Sequence, residues 1–163
     1  MSGPSSFTAV VVRSVDAEML TNPTASIQLL ADSPDTGGAL STQRVTLGVG
    51  ADGAVPHTHE LSAEMFYVLS GSVDVLVGDQ VRTATQGDLV VVPPGMAHAF
   101  GATPGQTAEI LIVITPGVER FEYFRHLGRI ARGESTAESL LDDQERYDTY
   151  FLMSPPWKAA RTS

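Results

Sequence analysis

His57, His59, Glu64 and His98 are the residues of this chain whose types and spacing suit one piece of chemistry. Three imidazoles and a carboxylate form a ligand set for a divalent transition metal, because imidazole suits Zn, Cu, Fe and Ni while carboxylate suits harder ions. Side chains two apart in a strand share a face, so His57 and His59 point the same way. Four residues separate His59 from Glu64, a typical hairpin connection, which brings the carboxylate beside both rings. His98 must arrive from a third strand, and only a closed or folded-over sheet brings it near. A His-x-His pair alone is common and carries little. Glu64 at hairpin spacing and His98 behind Pro93-Pro94-Gly95 give the set its weight. Glu60, the nearest rival carboxylate, falls on the opposite face by alternation and reads as solvated. His126 lies in the charged segment 122–132 and reads as a surface histidine.

These residues need a scaffold of strands, and the sequence supplies one. Residues 7–15 are rich in β-branched side chains and predict a first strand. Residues 27–31 and 40–47 predict two more, and three glycines with a proline make 48–56 a loop. Short strands are expected at 57–59, 64–69, 73–77, 81–85, 89–92 and 98–101, and a long apolar one at 108–114. Turns fall at Ser70-Gly71, Gly78-Asp79, Gln86-Gly87-Asp88 and Pro93-Pro94-Gly95. Short strands divided by Gly and Pro turns describe an all-β sandwich or barrel. After Pro116-Gly117, Val118, Phe121, Phe124 and Leu127 recur at helical steps. Ser135-Thr136-Ala137-Glu138 looks like a capping box opening a second helix to about residue 145. Pro155-Pro156 is expected to end regular structure, leaving a loose tail after Trp157, and residues 1–6 are expected to be frayed. Asp74 and Asp88 read as turn or surface carboxylates.

Composition narrows the function classes. The 163 residues suit one domain with one core, and 42% hydrophobic residues suit a globular chain. A net charge of −9 argues against a nucleic-acid partner, which needs a basic face. The absence of cysteine excludes disulfides, Fe–S clusters and thiolate zinc sites. The first ten residues lack the basic and apolar regions of a signal peptide, and no apolar run has the length of a membrane helix. A cytoplasmic protein without a membrane partner is the expectation.

The stretch 50–100 resembles the two motifs of the cupin superfamily. His57, His59, Glu64 and Gly71 match the first motif, and Gly87, Pro93, Gly95 and His98 the second. Two departures occur: the spacing from Gly50 to His57 is one residue longer than usual, and Ala102 stands where the family usually has asparagine. The 15-residue spacer 72–86 is the short form of microbial single-domain cupins. The segments 36–47, 118–130 and 154–157 add a weaker similarity to bacterial quercetin dioxygenase-like cupins. The resemblance implies a cupin-type β-barrel, a double-stranded β-helix or jelly roll, with C-terminal helices. One domain then spans residues 1–163, with the barrel at about 40–115 and a helical extension at about 118–150. It also implies one divalent metal (Fe, Ni, Mn, Co, Cu or Zn) on His57, His59, Glu64 and His98, and a homodimer. Apolar edge residues 7–12, which an isolated barrel would leave exposed, agree with a dimer.

Alternation then predicts a pocket. With Glu64 facing the metal, Phe66 and Val68 face inward, Phe100 shares the face of His98, and Val55 that of His57. Three neutral imidazoles, a carboxylate and a dication sum to a charge of +1, which favours an anionic small molecule such as an enolate. The leading expectation is a dioxygenase: an enolisable flavonol-like or dicarbonyl substrate, dioxygen as co-substrate, and Glu64 as ligand and catalytic base. The alternatives are a non-redox cyclase, isomerase or decarboxylase, and a binding protein without turnover.

Overall fold

The structure, a computed structural model, describes residues 8–162. Among the described residues, ten strands and four α-helices follow one another as β1 (Glu18–Thr21), β2 (Ala25–Ala31), β3 (Ser41–Leu47), β4 (His57–Thr58), β5 (Ala63–Val77), β6 (Gln80–Thr85), β7 (Leu89–Val92), β8 (His98–Ala102), β9 (Ala108–Thr115), α1 (Phe121–Ala131), α2 (Ala137–Asp142), α3 (Gln144–Tyr147), β10 (Tyr150–Phe151) and α4 (Pro155–Arg161). The described pairings are antiparallel and form two sheets that share β5. One runs β1-β2-β3-β9-β5-β7, the other β6-β5-β8-β4-β10.

β5 is the hinge of this arrangement. The sequence predicts a break at Ser70-Gly71, but the strand runs on for 15 residues. Its first half pairs with β7 and β9, its second half with β6 and β8. The register slips between Val68 and Ser70, and Gly71 follows with φ +77°. A Cβ at Gly71 would lie 2.0 Å from the Thr107 carbonyl oxygen. Glycine therefore lets the strand bend against its neighbour and pass from one sheet to the other.

The core lies between the sheets, with Val45, Phe66, Ile110 and Ile112 from one and Val73, Val75 and Phe100 from the other. Burial of each such side chain stabilises the fold by about 1.5–3 kcal/mol. A second cluster joins α1 to the flank: Tyr123 and Phe124 pack with Leu29, Leu140 and Tyr147. The Asp32 carboxylate fixes the start of α1 by accepting hydrogen bonds from the Arg120 and Phe121 amides, at 2.9 and 3.3 Å. No helix among the described residues is long and apolar enough to cross a membrane.

Several expectations are corrected. The predicted strand 7–15 is absent over its described part, and Val10 and Val11 are exposed instead; Phe7 and residues 1–6 lie outside the described residues. The edge is made by the unpredicted β1, which pairs with β2. Pro155 and Pro156 start a helix rather than ending one, because the first turn needs no amide donors. Trp157 is buried beside Leu76 and Ala99. Arg161 stitches this tail to the barrel, donating to the carbonyls of Ala102 (2.8 Å) and Gly50 (3.0 Å) and to Asp52 (2.9 Å). Asp74 is buried, not a surface carboxylate, and accepts from the Thr83 and Thr103 hydroxyls. His126 is also buried, at 5% exposure, with Nε2 2.7 Å from the Ser139 hydroxyl, so it ties α1 to α2.

Candidate metal centre

The four residues singled out by spacing meet at one end of the barrel. His57 and His98 are directly opposed partners on β4 and β8, and His59 follows β4 by one residue. Glu64 arrives from the other sheet, on β5. The connection from His59 to Glu64 is therefore no hairpin: β4 pairs with β8 and β10, and the chain crosses between the sheets. The four ligand atoms lie within 4.8 Å of one another, and all four residues are buried.

The ring orientations are set from behind. The Nδ1 atoms of His57, His59 and His98 lie 2.7, 2.6 and 2.9 Å from the backbone carbonyls of Val55, Asp148 and Met96. A carbonyl only accepts, so each Nδ1 carries the proton and each neutral ring turns an Nε2 lone pair inward. Those lone pairs face Glu64 Oε2 at 3.9, 2.9 and 2.6 Å. Four acceptors converging in a buried site require a cation or a shared proton between them. Ligand atoms held about 2.1 Å from one first-row ion lie roughly 3–4 Å apart, and here they lie from 2.6 Å to within 4.8 Å of one another, which small side-chain shifts bring to that spacing. The donor set thus fits a divalent metal.

The charges tell the same story. Burial alone would raise the Glu64 carboxyl, but the His59 and His98 imidazoles outweigh it and hold it well below the usual carboxylate range. Burial opposes charge on His98, yet its hydrogen bond to Glu64 raises it above the ordinary imidazole value, with the Arg120 guanidinium acting the other way. Burial and the two neighbouring imidazoles push His57 well below that value. Without metal, one proton is shared across the Glu64–His98 pair.

Residues 43–114 match the family model for the cupin domain. The barrel has a cupin-like fold. Its fold is similar to that of KdgF from Halomonas sp., with a TM-score of 0.59 at 20% identity over 71% of this chain and 99% of that one. It is also similar to the polyketide cyclase RemF from Streptomyces resistomycificus, with a TM-score of 0.55 at 22% identity over 67% of this chain and 80% of that one. An uncharacterized protein of Streptomyces coelicolor is 28% identical over 102 residues, which is 63% of this chain and 90% of its own. The matches support the cupin superfamily and not the finer quercetin dioxygenase-like grouping.

The centre opens into a cavity of about 960 Å³ bounded by His57, Glu64, Phe100 and the inner face of α1. Of the four residues expected to line a pocket, Phe100 and Val55 border this cavity. Val55 does so from the rim, at 57% exposure, because it precedes β4 and is not held to strand alternation. Phe66 and Val68 do not border it. They are fully buried in the core, and the Phe66 ring backs Phe100 with centroids 5.4 Å apart. Gly53 is needed beside Phe100, since a Cβ there would lie 2.3 Å from its ring.

Two residues at the site carried no sequence signal that singled them out. Asp148, in the left-handed region at φ +47°, accepts from the Glu60 and Leu61 amides through its carboxylate and from His59 through its carbonyl. Arg120, buried at 3% exposure, borders the cavity. Both come from the helical extension, so their place at the barrel mouth follows from tertiary packing and from no local pattern. A single Asp followed by Thr, between a charged helix and a strand, is the only local hint at Asp148.

Proposed function

We propose that the protein is a metal-dependent enzyme acting on an enolisable small molecule, with Glu64 as both ligand and proton acceptor. One observation carries this: three imidazoles locked by their Nδ1 hydrogen bonds converge with a carboxylate at the inner end of a large, mainly apolar cavity. A divalent ion bound there supplies Lewis-acid polarisation of a substrate oxygen and, if redox-active, a route to dioxygen. The chain's own residues do the rest. Apolar walls that include Phe100 and Ile112 exclude water and orient the carbon skeleton. The Glu64 carboxylate, which borders the cavity, accepts the proton released on enolisation. The rigid Nδ1 contacts keep the three rings in place while the substrate exchanges.

The step after proton removal divides the proposal. A non-redox outcome, such as cyclisation or isomerisation, is favoured by the similarity of fold to RemF, a polyketide cyclase. The dioxygenase outcome is the second reading, favoured by the three-imidazole, one-carboxylate set, which suits Fe, Cu and Ni. An oxygen-electrode trace beside product analysis, on 1,3-dicarbonyl and flavonol compounds in air and under argon, tests both. Equal product under argon, lost in Glu64→Gln, is the expected result. Product formed only in air, with matching oxygen consumption, moves the assignment to a dioxygenase. Full turnover by metal-loaded Glu64→Gln overturns the role of Glu64.

A further inference from the structure

Arg120 is the anomaly of the cavity wall. Its guanidinium keeps its charge at any working pH, yet no carboxylate lies within 4.0 Å of it among the described residues. A buried charge without a counter-ion is costly, and removal from water is offset only by good local contacts. Some are present. Nη1 donates to the Thr149 hydroxyl at 2.8 Å and to the Tyr147 carbonyl at 3.2 Å. The Tyr123 ring lies under the guanidinium at 4.1 Å, with that of Phe124 at 5.3 Å. Nε, however, is buried with no partner at all.

A second orphan belongs to a residue that borders the same cavity. Gln43 on β3 is 2% exposed, borders the cavity, and its amide Oε1 has no hydrogen-bond partner. Side-chain amides and guanidiniums buried in apolar surroundings normally find partners, and two orphans on residues that border one cavity call for an occupant. The Asp32 contact to the Arg120 amide and the Nη1 contacts hold Arg120 at both ends, so its fork is preorganised rather than mobile. Gln43 is fixed by the β2–β3–β9 ladder.

We propose that Arg120 and Gln43 form a carboxylate-docking subsite, so that the substrate of this protein carries a carboxylate apart from the oxygen function it presents to the His57, His59, Glu64 and His98 centre. The inference rests on the substrate reading above and sharpens it. The guanidinium fork takes the carboxylate, and Gln43 turns its amide to donate to one carboxylate oxygen or to accept from a neighbouring hydroxyl. The metal centre and Arg120 together give the cavity two positive groups, which favours an acid that also carries an enolisable group. A neutral ester or amide of the same skeleton leaves both orphans unpaired and is rejected.

The test is calorimetric and needs no turnover. Zinc-loaded protein is titrated with 4-acetoacetylbenzoate, its meta isomer and the methyl ester of each. The expected result is at least one acid bound roughly 10- to 100-fold more tightly than its ester, the range of a charge-assisted hydrogen-bonded contact. Gln43→Leu reduces this preference and Arg120→Gln abolishes it, so that acid and ester bind alike; Arg120→Lys, which keeps the charge, retains part of it. Equal affinity of acid and ester in the wild-type protein, binding of neither, or a preference surviving Arg120→Gln overturns the subsite. The wild-type comparison depends on no variant being folded. Because only binding is read, failure here leaves proton transfer by Glu64 standing, and loss of that role leaves the acid preference intact.

Discussion

Asp148 shows how the helical extension controls the centre, and its replacement gives a graded prediction. Its carboxylate oxygens accept from the Glu60 amide at 2.8 Å and the Leu61 amide at 3.0 Å, in the loop between His59 and Glu64. Hydrogen bonds to a charged group contribute about 1.5–3 kcal/mol each. Asp148→Gly deletes both and suits the left-handed backbone, so it destabilises by roughly 3–5 kcal/mol. Asp148→Ala adds a left-handed penalty of roughly 1–2 kcal/mol. Asp148→Asn tolerates the backbone and keeps one acceptor, so it costs only about 1–3 kcal/mol. The loosened loop carries His59, whose Nδ1 also depends on the Asp148 carbonyl at 2.6 Å. Metal affinity therefore falls about 10- to 100-fold in the Gly and Ala variants, the range for loss of a contact that orients a ligand. Denaturant unfolding of metal-free protein and zinc titration give the two orderings, Asn mildest and Ala most severe. Wild-type zinc affinity in Asp148→Gly, with its stability reduced, would refute the claim that this contact positions His59.

Two further outcomes are expected. In metal-free protein the raised His98 value makes the Glu64–His98 pair stabilising below the ordinary histidine pKa and lost as pH rises through the folded value, while the depressed Glu64 value makes it stabilising above the ordinary carboxyl pKa and lost as pH falls through the folded one. Stability without metal therefore peaks between these values, and the stabilisation gained on adding zinc grows as pH rises through the raised His98 value and the proton is given up; thermal unfolding with and without zinc across a pH series checks this, and a zinc shift that is flat with pH contradicts it. Phe100→Ala, whose ring belongs to the core and also borders the cavity, lowers both stability and affinity for cavity ligands, whereas Phe66→Ala, fully buried behind it, destabilises by about 3–5 kcal/mol with a smaller effect on affinity; denaturation beside calorimetry separates the two, and equal affinity losses in folded variants would contradict the placing of Phe100, and not Phe66, at the cavity.

The centre was legible because its ligands sit on short elements whose period is rigid. Alternation alone places His57 and His59 together, and the Pro and Gly turn before His98 returns the chain to them. The route of Glu64 was misread because chain spacing says how far a connection reaches and not which sheet it enters. β5 passes between sheets at a bulge that sequence marks only by Gly71. Phe66 and Phe100 share one interior, so alternation could not separate a core ring from a cavity ring. The C-terminal region was hardest. Its helices pack on the barrel through Tyr123, Phe124 and Tyr147, and that packing brings Arg120 and Asp148 to the site from 22 and 50 residues beyond His98. Pro155-Pro156 signals a stop and a start equally well, and only burial of Trp157 decides between them.

The metal content of natively loaded protein tests the central claim most directly. Elemental analysis is made on the wild type and on His57→Ala, His98→Ala and His126→Ala. His126 is a demanding control, because its buried contact to Ser139 makes its loss destabilising at a point remote from the four ligands. About one divalent ion per chain is predicted for the wild type and His126→Ala, with a sharp loss in the other two. Equal metal in all four proteins would contradict the assignment of His57, His59, Glu64 and His98 as a metal centre.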